Sequence, residues 1–330
     1  MSSGTTSVAR ARACLVLAAV LWSLGSVFMR LLREPLGLGL HEPQLTPLQI
    51  AFYRGLFGGF VVLALVRRAE VTFRPPMLGM VAAFTLMSGM YLSALGLGPA
   101  ANAIFLQNTA PLWVFVFAVL LLGEPGDRRG WQTVLLGAAG AVVIVAGNWP
   151  RDLPPAEQQA QGLILLMGVG SGVLYAIVVL FLRALREHSS AWLVALNLLG
   201  TAVTLGLFVL LKDGWSTFAE WATAPSAKQV AVLVVFGAFQ MALPYWLFTR
   251  GLRTVSPQEA AIITLIEPLL NPVWAYLITP EKDTPNVWMF SGGGLILLAL
   301  VWRYVPARKK MQGLTTEAQR HREDKGRECV

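Results

Sequence analysis

The sequence predicts an all-α integral membrane protein whose ten transmembrane helices form two inverted five-helix repeats. Composition is the first reason: 55% of the 330 residues are hydrophobic and 13% are charged, whereas a soluble domain carries about 25% charged residues. Spacing is the second, because the charges fall between apolar runs of about 18 to 24 residues, the length of a membrane-spanning helix. Helices suit this role because they satisfy their own backbone hydrogen bonds in lipid.

An internal repeat is the third reason. The segment P-L-W-V-F-V-F-A-V-L-L-L-G-E (Pro111–Glu124) has a counterpart, P-L-L-N-P-V-W-A-Y-L-I-T-P-E (Pro268–Glu281), 157 residues later. Residues 22–30 also match residues 175–183, at a shift of 153. Such a repeat indicates two copies of one unit. Five spans per copy is an odd number, so we expect the second copy to enter the membrane upside down.

The predicted spans follow one another with mostly short connections, which suit antiparallel neighbours. They cover residues 13–32, 46–66, 76–96, 100–122, 130–148, 160–182, 190–211, 228–249, 257–279 and 286–304. Longer connections are expected at 33–45, 149–159 and 212–227.

This division of the chain predicts five parts. They are a cytoplasmic N-terminus 1–12, a first five-helix repeat 13–148, a proline-rich linker 149–159, a second repeat 160–304 and a polar tail 305–330. The tail is predicted to be disordered because it buries too little apolar surface to fold alone.

Positive charge predicts the orientation. Alternate loops and termini on one side carry fifteen Lys and Arg before the distal tail is counted, and those on the other side carry six. Because cytoplasmic loops are rich in Lys and Arg, both termini are placed in the cytoplasm, in an inner or plasma membrane. The same rule accounts for the net charge of +8, so no nucleic-acid partner is expected. The first apolar run lacks a small-residue cleavage site, which predicts an uncleaved helix.

Two ionisable side chains lie deep in predicted spans. Glu267 directly precedes Pro268, and a carboxylate at that depth faces a cavity or a partner because burying it is costly. It is the candidate for proton coupling; alternatively it caps backbone freed by Pro268 or pairs with an arginine. Arg54 is the candidate for binding an anionic substrate group through its planar fork of donors. The alternatives for Arg54 are an ion pair with Glu267 and snorkelling to the interface.

Prolines mark candidate helix breaks at Pro111, Pro268 and Pro272. Each removes a backbone hydrogen bond, and in transporters broken helices at matching positions of two halves indicate the binding site. A kink that only shapes packing is the alternative.

Amide and aromatic side chains supply further cavity candidates. Amides in spans more often join helices by hydrogen bonds, and aromatic side chains more often pack or anchor at the interface. The candidates are Asn102, Gln107, Asn108, Asn197, Gln240, Asn271, Trp22, Tyr53, Tyr91, Trp113, Tyr175, Tyr245 and Trp274.

Small-residue motifs predict where helices approach closely. Gly55-x-x-x-Gly59 and Gly168-x-x-x-Gly172 have the spacing that brings helix backbones together, and the run Gly292 to Gly294 has the same effect.

The motifs of a membrane enzyme or an ATP-driven pump are absent from the sequence. The histidines fall in predicted loops or in the tail, and there is no H-E-x-x-H, paired-cysteine, G-x-S-x-G or P-loop motif. No catalytic residue, metal or cofactor is therefore expected. The two cysteines imply no disulfide framework.

Together these residues resemble the drug/metabolite transporter superfamily, specifically its EamA-type permeases. The resemblance covers residues 13–304 and rests on F-L-Q-N-T-A-P-L-W-V-F-V-F-A-V-L-L-L-G-E and I-I-T-L-I-E-P-L-L-N-P-V-W-A-Y-L, with Arg54 in the second helix. The first block ends in the family's usual L-G-E, whereas Thr279-Pro280-Glu281 stands in the second. The resemblance implies that the fifth and tenth helices are peripheral and that the third, fourth, eighth and ninth line a cavity. The implied lining residues are Tyr91, Asn102, Gln107, Trp113, Gln240, Tyr245, Glu267 and Asn271.

The resemblance also implies a secondary transporter with alternating access. The predicted function is a permease, exporting in direction, for a small-molecule solute such as an amino acid or a drug; a homodimer is left open. A nucleotide-sugar or phosphate-ester antiporter of the same superfamily is one rival, but it needs a basic cavity, and Arg54 alone supplies little of it. A non-transporting scaffold or sensor is the other, but it would have no need of broken helices at matching positions.

Overall fold

The structure, a computed structural model, describes residues 2–305. The predicted disordered tail lies outside these residues apart from Val305. Within the described residues the chain is helical and contains no strand, which confirms the all-α fold class. The helices are α1 (Ser2–Ser23), α2 (Gly25–Arg33), α3 (Pro47–Leu63), α4 (Pro75–Leu97), α5 (Ala100–Gln107), α6 (Ala110–Leu120), α7 (Arg128–Gly147), α8 (Pro155–Ala184), α9 (Ser190–Thr223), α10 (Ala227–Val235), α11 (Leu243–Gly251), α12 (Pro257–Thr264), α13 (Ile266–Ile278), α14 (Pro280–Asp283) and α15 (Val287–Tyr304).

Nine segments of the described chain are long and apolar enough to cross a membrane. The predicted second span corresponds to α3, an apolar helix that is shorter than these nine. Several spans consist of two helices: α1 and α2 flank a turn at Leu24, and α10 and α11 flank the π-helical segment Phe236–Ala242. Each predicted span therefore has a helical counterpart, and the candidate spans make this a multi-pass membrane protein.

Helix boundaries differ from prediction on one side of the bundle. The helix α8 begins at Pro155 rather than at residue 160, and α9 continues to Thr223 where a loop from residue 212 was predicted. The extension of α9 turns at Gly214, whose φ of 83° is readily adopted only by glycine. Beyond that turn Trp221 packs edge-on against Phe52, with ring centroids 5.0 Å apart. This aromatic contact with α3 fixes a segment that the polar sequence pattern marked as a connection.

The pair α7 and α15 runs antiparallel. At one end Arg303 Nη1 lies 2.9 Å from Asp127 Oδ1, and at the other Asn286 Nδ2 donates to Asn148 Oδ1 over 2.7 Å. Between these contacts the two backbones meet, since a Cβ on Gly140 would lie 2.6 Å from the carbonyl oxygen of Gly292.

The predicted glycine contacts are confirmed elsewhere as well. A Cβ on Gly55 would lie 2.7 Å from the Leu198 carbonyl oxygen, and one on Gly172 would lie 2.7 Å from that of Leu106. These small residues let α3 approach α9 and let α8 approach α5.

Several packing contacts recur when the two halves are exchanged. The pairs α3–α9 and α7–α15 join corresponding helices of the halves, and α5–α13 joins the two broken spans. The contact of α4 with α8 has its counterpart in that of α11 with α1. Likewise α8 packs on α5 and α6, and α1 packs on α12 and α13.

Connections gather at two ends of the bundle. The Asp127 end carries residues 64–74, 121–127, 185–189 and 252–256 together with the end of α15, and the Asp283 end carries residues 34–46, 98–99, 148–154, 224–226 and 279–286. Contacts between connections stay within one end: Arg183 pairs with Glu124 at the first, and Lys282 with Glu34 at the second. The connections therefore alternate along the chain between the two ends.

Candidate functional site

A cavity of about 380 Å³ lies inside the bundle and is lined by both halves. Five of the predicted site residues and both ionisable candidates contribute to it through helices α3 to α6 and α11 to α13 or the segments between them. These seven residues are Arg54, Tyr91, Gln107, Pro111, Gln240, Tyr245 and Glu267. Four of the further amide and aromatic candidates line the cavity as well: Trp22, Asn108, Tyr175 and Asn197. Its wall is thus both polar and aromatic.

Glu267 lies in the first turn of α13, directly after the interruption at Leu265. The N-terminus of a helix carries partial positive charge, which favours a carboxylate there. Because this helix begins inside a predicted span, its N-terminus holds Glu267 at the cavity rather than at a membrane surface.

Arg54 is 6% exposed, so it does not snorkel to an interface. Its Nη1 donates to Gln240 Oε1 over 3.3 Å, and its guanidinium lies 5.6 Å from the ring centroid of Phe236. Gln240 in turn donates from Nε2 to the Trp22 carbonyl oxygen over 3.1 Å. The recorded partners of Arg54 do not include Glu267, and the predicted alternative of a static ion pair between them is wrong.

The two helix interruptions occupy matching positions of the repeat. The helix α5 ends at Gln107 and α6 begins at Ala110, while α12 ends at Thr264 and α13 begins at Ile266. Pro111 and Pro268 follow these breaks within the first turn of the next helix, where a missing N–H removes no hydrogen bond.

Pro272 does not break its helix, contrary to prediction. The helix α13 runs through Pro272 to Ile278. The bond that Pro272 cannot make would reach the carbonyl of Pro268, one turn back, and losing this single bond leaves the rest of the helix intact.

Three predicted cavity residues, Asn102, Trp113 and Asn271, lie outside the lining of this cavity. Asn271 instead joins α13 to α2: its Oδ1 accepts from the Ser26 N–H over 3.2 Å, and its carbonyl accepts from Ser26 Oγ over 2.9 Å. Asn102 is buried, and Trp113 lies against Phe117 with ring centroids 6.2 Å apart. Packing between neighbouring helices places these three residues outside the cavity lining.

Among the further amide and aromatic candidates, Asn197 and Trp22 also line the cavity. Asn197 lines the cavity, and its buried Oδ1 has no hydrogen-bond partner within the described structure. Trp22 meets Tyr245 edge-on, with ring centroids 5.4 Å apart, and forms one wall with it. Thr264 and Tyr304 also line the cavity; no sequence signal distinguished them from interface residues.

A vestibule of about 390 Å³ adjoins the central cavity. The two share Ala110, Pro111, Tyr175, Val179 and Tyr304. The vestibule is also lined by Glu124, Arg183 and Arg303, which lie at the Asp127 end. The central cavity therefore approaches that end of the bundle.

Within residues 2–305, no three His, Cys, Asp or Glu side chains cluster as metal ligands would. The cavity groups that can contact a solute by charge or hydrogen bonding are Arg54, Glu267 and the uncharged polar side chains.

Helices long and apolar enough to cross a membrane surround this cavity, so the chain is a multi-pass membrane protein with an internal cavity of mixed polar and apolar lining. The chain belongs to the EamA-like transporter family, whose model matches residues 10–146 and a second time residues 162–304. The family is named for transport rather than for catalysis. The double match assigns each half of the chain to the same family unit.

Curated relatives carry transporter names. An uncharacterized transporter of Archaeoglobus fulgidus is 28% identical over 88% of this chain and 96% of its own length. The pseudopaline exporter CntI of Pseudomonas aeruginosa is 25% identical over 77% of this chain and 84% of its own. An S-adenosylmethionine uptake transporter of Rickettsia prowazekii is 21% identical over 86% and 90%. A crystal structure with 18% identity covers 91% of this chain and 98% of that chain at a TM-score of 0.57, which shows a shared fold.

Proposed function

We propose that the protein is a secondary active transporter that moves a small organic solute by alternating access. The cavity carries this proposal: it lies between the halves, within the membrane-spanning helices, and combines a buried guanidinium, a carboxylate and aromatic rings. Its volume of about 380 Å³ falls in the range of small-molecule pockets, roughly 300 to 1,000 Å³. A solute of the size of an amino acid or a small drug fits this space.

Ten transmembrane helices in two inverted repeats are part of the proposal. The antiparallel run of α7 and α15 supports inversion, because these are the fifth helices of their halves. Helix pairs that map onto one another when the halves are exchanged, and the double family match, support the repeat. A pseudo-two-fold axis in the membrane plane lets one fold open to either side of the membrane around a fixed site, the two openings being related by that rotation.

Arg54 and Glu267 receive separate roles. Arg54, held by Gln240 and covered by Phe236, orients an anionic group of the solute through its remaining donors. Glu267 exchanges a proton during the cycle, because a carboxylate without a fixed cationic partner can be neutralised when the cavity closes. Proton movement down its gradient then drives the solute.

Export across the cell membrane, with both termini in the cytoplasm, is the proposed direction and orientation. One relative is named a pseudopaline exporter, which supports outward movement. Another is named an S-adenosylmethionine uptake transporter, so the direction of transport is not the same throughout the relatives. A cytoplasmic Asp127 end agrees with the concentration of Lys and Arg on that side.

The phosphate-ester antiporter is less favoured by the cavity. Arg54 is the one basic residue among its described lining residues, whereas a doubly charged phosphate calls for several donors with positive charge. Thermal stabilisation by phosphate esters but not by amino acids would reverse this ranking.

The proton-coupling role is tested in proteoliposomes with the variant Glu267→Gln. A panel of amino acids and small drugs is first screened for thermal stabilisation, and the flux of a stabilising solute is then measured with and without an imposed pH gradient. We expect the gradient to accelerate flux in the wild type and to have no effect in Glu267→Gln, because the amide cannot carry a proton.

A matched control replaces a glutamate outside the cavity by glutamine. Glu220→Gln makes the same substitution at an exposed site and is expected to retain the gradient response. Gradient-driven flux that persists in Glu267→Gln would rule out the proton-coupling role, and the absence of any solute flux in the wild type would count against transport itself.

A further inference from the structure

The most deeply buried ion pair of the described chain lies at the Asp283 end, away from the cavity. Arg30 is fully buried and contacts Asp283 with two nitrogens: Nε donates to Oδ2 over 2.7 Å, and Nη2 donates to Oδ1 over 2.8 Å. Arg30 also donates to the carbonyl oxygens of Leu95 and Gly98. Asp283 accepts from the backbone N–H of Ala100 over 2.7 Å.

These contacts tie the two halves together. Arg30 lies in the last turn of the first span of one half, and Asp283 follows the ninth span in the other half. Beside them Lys282 Nζ donates to Glu34 Oε1 over 2.6 Å, again between the halves. The residues that line the central cavity do not include any of these four, so the network lies outside the cavity wall.

The internal repeat places an equivalent pair at the opposite end. Arg183 stands 153 residues after Arg30, the shift that relates the first helices of the halves. Its partner Glu124 is the repeat counterpart of Glu281, two residues before Asp283. Arg183 Nη2 lies 2.7 Å from Glu124 Oε1, but both side chains are substantially exposed, 54% and 37%, and both line the vestibule.

The two pairs therefore occupy equivalent places in the two halves but differ in burial and in the number of contacts. In each, an arginine at the end of the first helix of one half holds a carboxylate just after the fourth helix of the other half. At the Asp283 end the pair is bidentate, buried and supported by backbone groups. At the Asp127 end it is a single contact beside an opening.

We propose that Arg30–Asp283 and Arg183–Glu124 are the two gates of the transport cycle, and that the buried pair keeps the cavity closed to the Asp283 end in this conformation. A buried pair suits a gate because a charged side chain that loses its partner there has neither a counter-charge nor water, which is costly. The closed state is therefore stable only when both partners are in place. By the repeat symmetry, opening at the Asp283 end accompanies burial of Arg183–Glu124 at the other. This inference rests on the proposed transport function for its role but concerns residues outside the cavity.

The test measures access to the cavity from the Asp283 side. Met87, a cavity residue, is replaced by cysteine after Cys14 and Cys329 are changed to serine, and a membrane-impermeant maleimide is added to the side on which a separate Thr284→Cys protein reacts. We expect Asp283→Asn to raise the labelling rate of position 87 about tenfold, since weakening one state shifts a two-state population. We expect Glu124→Gln to lower the rate or leave it unchanged.

Controls separate a gate from a general loss of structure. Asp213→Asn removes an exposed carboxylate from the same end, where Asp213 contacts only Lys212 at 3.9 Å, and is expected to label at the wild-type rate. If Asp283→Asn does not fold, Lys282→Gln removes the neighbouring pair and is expected to raise labelling to a smaller degree.

Unchanged labelling in a folded Asp283→Asn protein would overturn the proposal, as would an equal rise in Asp213→Asn or in Glu124→Gln. Solute flux measured on the same gate variants without the reporter cysteine separates the two hypotheses. If the two gate variants change labelling in opposite directions but the wild type shows no flux, the gate proposal stands and the transport function is wrong. If flux is normal but labelling is unchanged, the transport function stands and the gate proposal is wrong.

Discussion

Asp283 shows how one side chain can be charged and almost completely buried. Burial alone raises the pKa of this carboxyl, but the hydrogen bond and charge of Arg30, the Ala100 N–H and the Thr279 hydroxyl outweigh it, and the pKa lies below its ordinary value. The carboxylate is thus the stable form at neutral pH. Its stabilising effect depends on the partner groups supplied by the opposite half.

A pH dependence follows from the lowered pKa. A carboxyl whose pKa is lower in the folded protein stabilises it above its unfolded pKa, about 3.9, and this contribution is lost as the pH falls through the folded value. We expect the difference in melting temperature between wild type and Asp283→Asn to be constant above about pH 5 and to shrink at lower pH. Thermal melting in detergent from pH 3 to 8 measures it. A difference that grows in acid would contradict the assigned ion pair.

Arg54 differs from Arg30 in having no carboxylate among its recorded partners. Its contacts with Gln240 and Phe236 hold the guanidinium in place without neutralising it. Keeping a charge uncompensated inside a membrane is costly, and a residue in this condition is expected to have a function. The proposed role in solute binding gives that charge a partner for part of the cycle.

At the scale of helices, glycine determines how closely the halves approach. Gly140 on α7 and Gly292 on α15 face each other, so that a Cβ on Gly292 would lie 2.5 Å from the Gly140 carbonyl oxygen. Gly294, two residues along the same helix, has no heavy atom within 4 Å of the position of a Cβ. The two positions therefore separate the effect of packing from that of helix propensity.

Alanine at these positions is expected to have opposite effects. Gly292→Ala should destabilise the protein by about 1 to 3 kcal/mol, because the added methyl group forces the backbones apart. Gly294→Ala should be neutral or stabilising by up to about 1 kcal/mol, because alanine is the better helix former. Melting of the purified variants, or denaturation in mixed micelles, compares them. Equal losses at both positions would show that the contact of α7 with α15 does not limit stability.

The breaks within two spans place candidate functional residues at the cavity. Because α13 begins at Ile266 inside a span, its positive N-terminal end lies beside the cavity and stabilises Glu267. The matching break before α6 presents Ala110 and Pro111 to the same cavity. One half thus supplies a carboxylate where the other supplies none, so the site is asymmetric within a repeated frame.

For the whole molecule, the proposed inversion of the halves makes a prediction about sidedness. Gly126 and Thr284 are exposed positions in corresponding connections, one at the Asp127 end and one at the Asp283 end. In a protein free of other cysteines, we expect an impermeant maleimide added to intact cells to label Thr284→Cys and not Gly126→Cys. Permeabilised cells should label both, which controls for reactivity. Labelling of both positions in intact cells would contradict the inverted arrangement.

Hydropathy, charge spacing and repetition along the chain were sufficient to predict the membrane class, the order of helices and the two ionisable candidates. These properties are local, since about 20 apolar residues specify a span wherever they occur. The prediction of Pro272 as a break was wrong because the loss of one backbone hydrogen bond leaves the rest of α13 intact. The prediction of a loop from residue 212 was wrong because Trp221 packs against Phe52, on a helix far away in the chain.

By itself the sequence determined that this chain is a membrane protein of two EamA-like units, and it indicated Arg54 and Glu267 as ionisable residues within apolar segments. Only the tertiary structure decided which residues of each helix line the cavity, and it left Asn102, Trp113 and Asn271 out of that lining. It also joined Arg30 to Asp283 across 253 residues. The reason is that the rotation of a helix and the choice of an ion-pair partner depend on contacts between residues far apart in the chain, which no local pattern records.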